Sequence, residues 1–257
     1  MEFLQHGQSI TPSPEEREQL LSAIEDDERL EVQTHAYDRF QFLLVLLGER
    51  PACDLAALAT ESTPQAAEVR SSMPVDQWET NIYPFLKEHG IPFKTQVTAI
   101  KITQQEYQVF ANYHISFDRE RLDSITDHLR ASPWDSPTRR EHVAMGRFFG
   151  FPDSVVHDWC ETPDSGQTFF ESLPDSVVRE EMSEFDVFFE AFGLPPSRFV
   201  DYVLPYYVPA SSINAIDQAI SDARQFIASG LRLWVEYDCH TFLDFITQFK
   251  NREGVQS

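Results

Sequence analysis

The stretch "GFPDSVVHDWC", residues 150–160, sets His157 and Cys160 three positions apart. On a helix that spacing puts both side chains on one face. An imidazole beside a thiol is half of a zinc site, or a nucleophile with its base. A tetrahedral zinc site needs two more ligands, and the other close pair is Cys239 with His240. Adjacent residues on a helix point about 100° apart, so that pair does not chelate as C-x-x-C does. A cysteine nucleophile also needs an orienting third residue and oxyanion donors, and the pattern offers neither. The expectation is a structural Cys160 and an outward His157, with no metal and no cofactor.

Other chemistry-bearing patterns are sparse. "EDDE" (25–28) lacks the spaced oxygens and the glycine of a calcium loop. With only 9 Gly, the chain has no G-x-G-x-x-G and no G-x-x-x-x-G-K to cradle a phosphate. G-x-S-x-G and H-E-x-x-H are absent too. Aromatic residues are plentiful. Tyr202, Tyr206 and Tyr207 in "YVLPYYVP" (202–209), with Trp159 and Trp234, are either a ligand-lining set or core.

The elements that position these residues are mostly helical. "SPEEREQLL" carries a capping Ser13, Pro14 in the first turn and acids behind it, as the helix dipole prefers. Phe40, Leu43, Leu44 and Leu47 recur at helical spacing, and Gly48 stops that run. "PACDLAALATESTPQAAEVRSSM" reads as short helices broken at Pro64, with another helix from about 75 to 88. The period then changes. "FKTQVTAIKI" (93–102) and "YQVFANYHISF" (107–117) alternate around a polar break, which predicts a β-hairpin.

Beyond the hairpin the helical period returns. "FPDSVVH" (151–157) is echoed by "LPDSVVR" (173–179) and by "LPPSRFV" (194–200), a repeated way of starting a helix. Gly150 is expected to end one helix in the left-handed conformation, and Pro152 to open the next. Two long amphipathic helices, 211–230 and 231–249, are expected to join at Gly230. The predicted fold is therefore mainly α (α+β), one domain over 1–257 with a β-hairpin inserted at about 93–117. Within it, helical stretches over 1–90 and 118–257 flank the hairpin segment 91–117.

Composition bounds the function. The 257 residues include 42 acidic and 20 basic ones, a net charge of −22, and the bases are 16 Arg and 4 Lys. Acids scattered along the chain, with little Lys, suit a surface that works in molar salt. There the Debye length is about 3 Å and self-repulsion is screened. A high-salt cytoplasm of the halophilic-archaeal kind is the expectation. Nucleic acid is not expected as a partner, because phosphate recognition needs a basic stripe. Three widely spaced cysteines indicate no disulfide framework. The N-terminal residues lack a signal-peptide pattern, and the longest apolar run, "FLLVLLG" (42–48), is too short to span a bilayer. A soluble cytoplasmic protein without a membrane partner is expected.

Three short islands carry a resemblance. "GRFFGFPDSVVHDW", "LPYYVPASSINAIDQAISDARQF" (204–226) and "LLGERPACDLAAL" (46–58) resemble landmarks of an uncharacterised archaeal family, domain of unknown function 483. Where that family's pattern has cysteines, this chain has Ser154, Val155, Ala210 and Asn214. The resemblance therefore implies a degenerate copy that has lost any cysteine site and keeps Gly150, Phe151, Pro152 and Pro209 for structure. It brings no activity with it. The expected function is non-catalytic binding of a protein or small molecule; the alternative is a hydrolase-like enzyme using His157 and Cys160.

Overall fold

The computed structural model describes residues 12–26, 35–129, 132–161, 173–204 and 216–254, without the side chains of 158 and 159. The chain divides into two units, Met1–Gly150 and Phe151–Ser257. The fold is mainly α with one antiparallel sheet. Among the described residues no helix is long and apolar enough to cross a membrane.

The first unit begins with α1 (Pro14–Asp26) and α2 (Ala36–Leu46). Ser13 caps α1 reciprocally. Its Oγ accepts from the Glu16 N–H at 3.3 Å, and the Glu16 carboxylate accepts from the Ser13 N–H at 2.9 Å. Phe40, Leu43 and Leu44 of α2 are buried as their spacing predicts, and Gly48 follows at φ 74°.

The next segment corrects the sequence reading. Residues 53–61 form a strand, β1 (Cys53–Glu61), rather than a short helix. "CDLAALATE" is rich in helix formers, but Cys53, Leu55 and Ala57 are buried at period two. Pairing along the whole of β3 (Tyr107–Ile115) satisfies its backbone, and tertiary context overrides propensity. The expected hairpin is present: β2 (Phe93–Lys101) also pairs with β3, giving the order β1-β3-β2.

Between β1 and β2 lie α3 (Pro64–Ser72), capped by Thr63, and α4 (Ile82–Glu88). The helix expected over 75–88 is thus split. Only a 3-10 turn, Val75–Gln77, precedes α4, and the Thr80 hydroxyl accepts from the Ile82 N–H at the break. α3 touches all three strands. The sheet face it covers carries Leu55, Ala57, Val109, Ala111 and Tyr113, all buried.

After the sheet come α5 (Arg119–Thr126) and α6 (Arg139–Phe149). Thr138 and Glu141 make a reciprocal capping box at the start of α6, and Gly150 ends it at φ 77°. Arg121 donates to the Arg147 and Phe148 carbonyls, placing a cation at the negative end of α6. Ala52, Leu122, Ile125 and Phe148 form the core beneath these two helices.

The second unit is helical throughout its described residues: α7 (Asp153–Glu161), α8 (Asp175–Glu181), α9 (Asp186–Phe192), α10 (Pro196–Val203), α11 (Ile216–Tyr237) and α12 (Thr241–Glu253). The "PDSVV" echo does open helices, α7 and α8. The Asp175 carboxylate accepts from both the N–H and the hydroxyl of Ser197, so the second copy of the echo caps the first turn of the third.

Gly230 is not the joint between the last helices. α11 runs through it, and the chain turns at Asp238–His240, with Asp238 at φ 51°. A Cβ at position 230 would collide with the Phe242 ring. Glycine is needed there for close approach of α11 and α12 rather than for a bend.

Candidate functional site

The residues singled out in the sequence are scattered through the second unit. His157 is exposed and Cys160 half-buried on α7, while Val155 and Val156 face inward. Tyr202 stacks on Phe245 at 5.3 Å and packs on Phe249 at 5.1 Å, with the Arg252 guanidinium 5.4 Å from its ring centre. Trp234 packs edge-on against Phe192 at 6.1 Å. Between these two aromatics stand the rings of Phe192, Phe188, Phe242 and Phe245, each in contact with the next. Tyr202 and Trp234 are thus joined by a continuous series of packed rings rather than set side by side in contact. Tyr206, Tyr207 and the Trp159 side chain lie outside the described residues. Cys239 is buried, and the described residues hold no group of three metal-ligating side chains.

A polar constellation unread in the sequence lies in the first unit. The sheet register sets Asp54 of β1 directly opposite His114 of β3. Their side chains meet at 2.6 Å, Asp54 Oδ1 to His114 Nδ1. The imidazole is 2 % exposed, whereas a third of the Asp54 side chain reaches solvent. Phe148 of α6 lies 6.0 Å away edge-on to the imidazole. Among the described residues His114 Nε2 has no hydrogen-bond partner.

Asp38, on the first turn of α2, belongs to the same electrostatic neighbourhood. Burial pushes its carboxyl up to about 6; His35 opposes the shift through its charge and backbone, and the Asp54 charge adds to it. Cys53 points to the other sheet face, where burial, with Asp54 and Asp38 nearby, pushes its thiol up. It is a protonated thiol at neutral pH, a poor nucleophile.

A carboxylate bonded to Nδ1 of a histidine is the orienting half of a catalytic triad or of a metal-ligand pair. Either role requires the far nitrogen to meet substrate or metal. Here that nitrogen is enclosed and the ring packs on Phe148, so the pair as folded ties β1 to β3 and holds one imidazole orientation.

The same sheet face continues away from this pair and changes character. Lys94 of β2 shares the row of Asp54 and His114 and reaches Asp123 of α5 at 3.4 Å. The next three rows hold Ala56, Asn112 and Gln96, then Leu58, Phe110 and Thr98, then Thr60, Gln108 and Ile100. Those rows contain no charged residue. Asn112 donates to the Gln96 carbonyl and to the Thr98 hydroxyl. Leu58 is 54 % exposed and Ile100 51 % exposed, with Phe110 half-buried between them. A separate hollow of about 290 Å³ beside α6 is lined by Asp127, His128, Ser136 and Arg140 among others.

Sequence reasoning misses these sites because it places Asp54 in a helix, where no register can pair it with a histidine sixty positions on. The signal that could find the pair is period two in "CDLAALA", faint because alanine is its main component. The chain matches no protein-family model, no curated protein and no solved structure.

Proposed function

We propose that this chain is a non-catalytic binding protein of a high-salt cytoplasm, of the halophilic-archaeal kind. Its binding face is the open half of the sheet. The observation that carries this reading is the contrast in charge. A chain of net −22 keeps three consecutive rows of a solvent-facing sheet free of any charged residue and exposes Leu58 and Ile100 there. Exposed apolar side chains that form one patch mark contact surfaces, whereas scattered ones do not. The basic residues give no stripe for nucleic acid, and the resemblance to domain of unknown function 483 adds no activity to the reading.

The salt component is tested by thermal melting in dilute buffer and in about 2 M KCl, where the Debye length falls to a few ångströms. The melting temperature should rise with salt, and a flat or falling trend refutes adaptation. The second unit is the more densely acidic, with 18 acidic and 6 basic residues over 107 positions against 24 and 14 over 150. Amide exchange in α11 and α12 should therefore slow with salt more than exchange in β1–β3. The binding component is tested by purifying tagged protein from cells at their native salt. A co-purifying species present with the wild type and missing with Leu58→Glu, at equal melting temperature, supports it. Identical species with both baits count against it.

A further inference from the structure

We infer that Asp38, Asp54 and His114 act together as a proton-sensitive latch on the start of α2. With a proton on the Asp38 carboxyl, the first turn of α2 is seated against β1. When that proton leaves to water, the turn opens. The inference does not rest on the binding face.

Asp54 belongs to the fixed half of the latch. Its Oδ1 lies 2.6 Å from Nδ1 of the buried His114, and β1 is paired with β3 along its whole length. An ionised carboxylate only accepts, so Nδ1 carries the proton of that bond. The ring also packs edge-on against Phe148. Asp54 therefore cannot turn away from α2 without breaking a buried hydrogen bond. Asp38 is on the half that can move. The N-cap residue of its helix, His35, makes no side-chain capping bond. The starts of α1, α3, α5 and α6 each have one.

The groups around Asp38 set the direction of the response. Burial opposes its ionisation most; His35 favours it through charge and backbone, and the Asp54 charge on β1 opposes it. Arg39, next along α2, is buried about 100° round the helix. α1 packs on α2 with Arg17 donating to the Leu47 carbonyl at the far end, so Glu25 comes to the same end of α2 as Asp38. On the β1 side Cys53 is a neutral thiol with Arg50 near it. Lys94 of β2 is paired with Asp123 of α5, and Arg121 is held by the carbonyls that end α6. Asp38 thus faces a carboxylate that a buried imidazole keeps in place.

The sign of the response follows. Below about pH 4 the Asp38 carboxyl is neutral whether the turn is seated or open, so seating does not depend on pH. From there to about pH 6 only the seated form keeps the proton, and each unit of pH favours opening by up to about tenfold. Above that range both forms are ionised and the dependence ends.

Amide exchange of the full chain between about pH 4 and pH 7, corrected for the intrinsic rate, tests this. The Arg39 N–H, which donates to the His35 carbonyl at 3.1 Å, reports the first turn. Its protection should fall by at least about tenfold across the range, while protection in α12 stays level. Asp38→Asn carries the neutral group at every pH, so its protection should be high and flat. Asp54→Asn keeps an oxygen for His114 Nδ1 but removes the charge, so the fall should shift to lower pH. Flat protection in the wild type, an equal fall in α12, or the same fall in Asp38→Asn would overturn the latch. An unshifted fall in Asp54→Asn would also overturn it, reducing Asp38 to a buried acid uncoupled from the Asp54–His114 pair.

Discussion

In Phe151–Ser257 ring packs on ring. Phe188 touches Phe189, Phe192, Phe199 and Phe242, and Phe199 touches Phe245 and Phe249, at centroid distances of 5.2–6.1 Å. In Met1–Gly150 the covered sheet face mixes small and branched residues, Leu55, Ala57, Val109, Ala111 and Ile115, with the rings of Tyr107 and Tyr113. That unit's most demanding feature is polar: a buried imidazole bonded to a half-buried carboxylate, with a second half-buried acid close by. The first kind of interior depends on shape. The second depends on register and on protonation. Mutations that change volume should therefore weigh most on the helical unit, and changes of pH on the sheet unit.

The largest expected effect lies at the centre of the ring cluster. Phe242 is fully buried and contacts Phe188, Phe226 and Phe245. Phe242→Ala removes those contacts and leaves a cavity, a loss of about 3–5 kcal/mol. Denaturant unfolding checks it, and a cost below about 1 kcal/mol would mean that the cluster collapses around the gap and shape is not what holds it. At the same contact Gly230→Ala should cost about 1–3 kcal/mol, because the added Cβ meets the Phe242 ring rather than space.

The next effect is in the first unit and tests whether shape matters there too. Gly150 has φ 77°, and a Cβ at that position would stand 2.6 Å from Pro51 Cγ. Pro51 cannot easily retreat, since its carbonyl accepts from the buried Ser116 hydroxyl at 2.7 Å. Gly150→Val combines left-handed strain with overlap and should destabilise by roughly 2–4 kcal/mol. Gly48→Ala carries the same sign of φ with nothing within 4 Å, so it should cost only about 1 kcal/mol. Equal costs at the two glycines would show that strain alone, without Pro51, sets the penalty.

Much of this architecture is legible in the chain, and the places where it is not share a cause. Gly150, Ser13 and the hairpin can be read because each depends on neighbours a few residues away. Local chemistry of that kind survives in the sequence. β1 reads as helix because "CDLAALATE" becomes a strand only through nine partners on β3. Gly230 reads as a joint because its reason for being glycine is a phenylalanine twelve residues on, across a turn. The Asp54–His114 pair is invisible for the same reason as β1. Long-range pairing creates it, and no local pattern records it.

Protonation should show in the first unit through Asp38. Its carboxyl is raised from 3.8 to about 6, chiefly by burial, so the folded state binds the proton more tightly than the unfolded state. Stability from this group is full below about pH 4 and falls as pH rises to about 6, beyond which the loss is complete. Asp38→Asn mimics the neutral form. Relative to wild type it should gain stability between pH 4 and pH 6, reaching about 2 kcal/mol at pH 7 after allowance for partial exposure. The check is the difference between the two unfolding free energies across that range. A difference that does not change with pH would show that Asp38 is not held in a proton-favouring environment.

The smallest expected effect is at the residue that first suggested chemistry. His157 sits on the exposed side of α7, one position beyond the buried Val155 and Val156. Contacts made by an exposed side chain are worth a few tenths of a kcal/mol, and alanine is the better helix former by a similar amount. The two contributions oppose each other, so His157→Ala should change stability by less than about 0.5 kcal/mol. The change in melting temperature should stay within about 2 °C for a chain of this size. Cys160, half-buried one turn on, then has no base whose removal matters. The "PDSVV" of α8 opens a helix with Arg179 where α7 has His157, which is what a helix start that does not need the imidazole would look like. Should His157→Ala instead abolish a measurable activity at unchanged melting temperature, α7 would be a site, and the binding reading would give way to the enzyme that His157 and Cys160 first suggested.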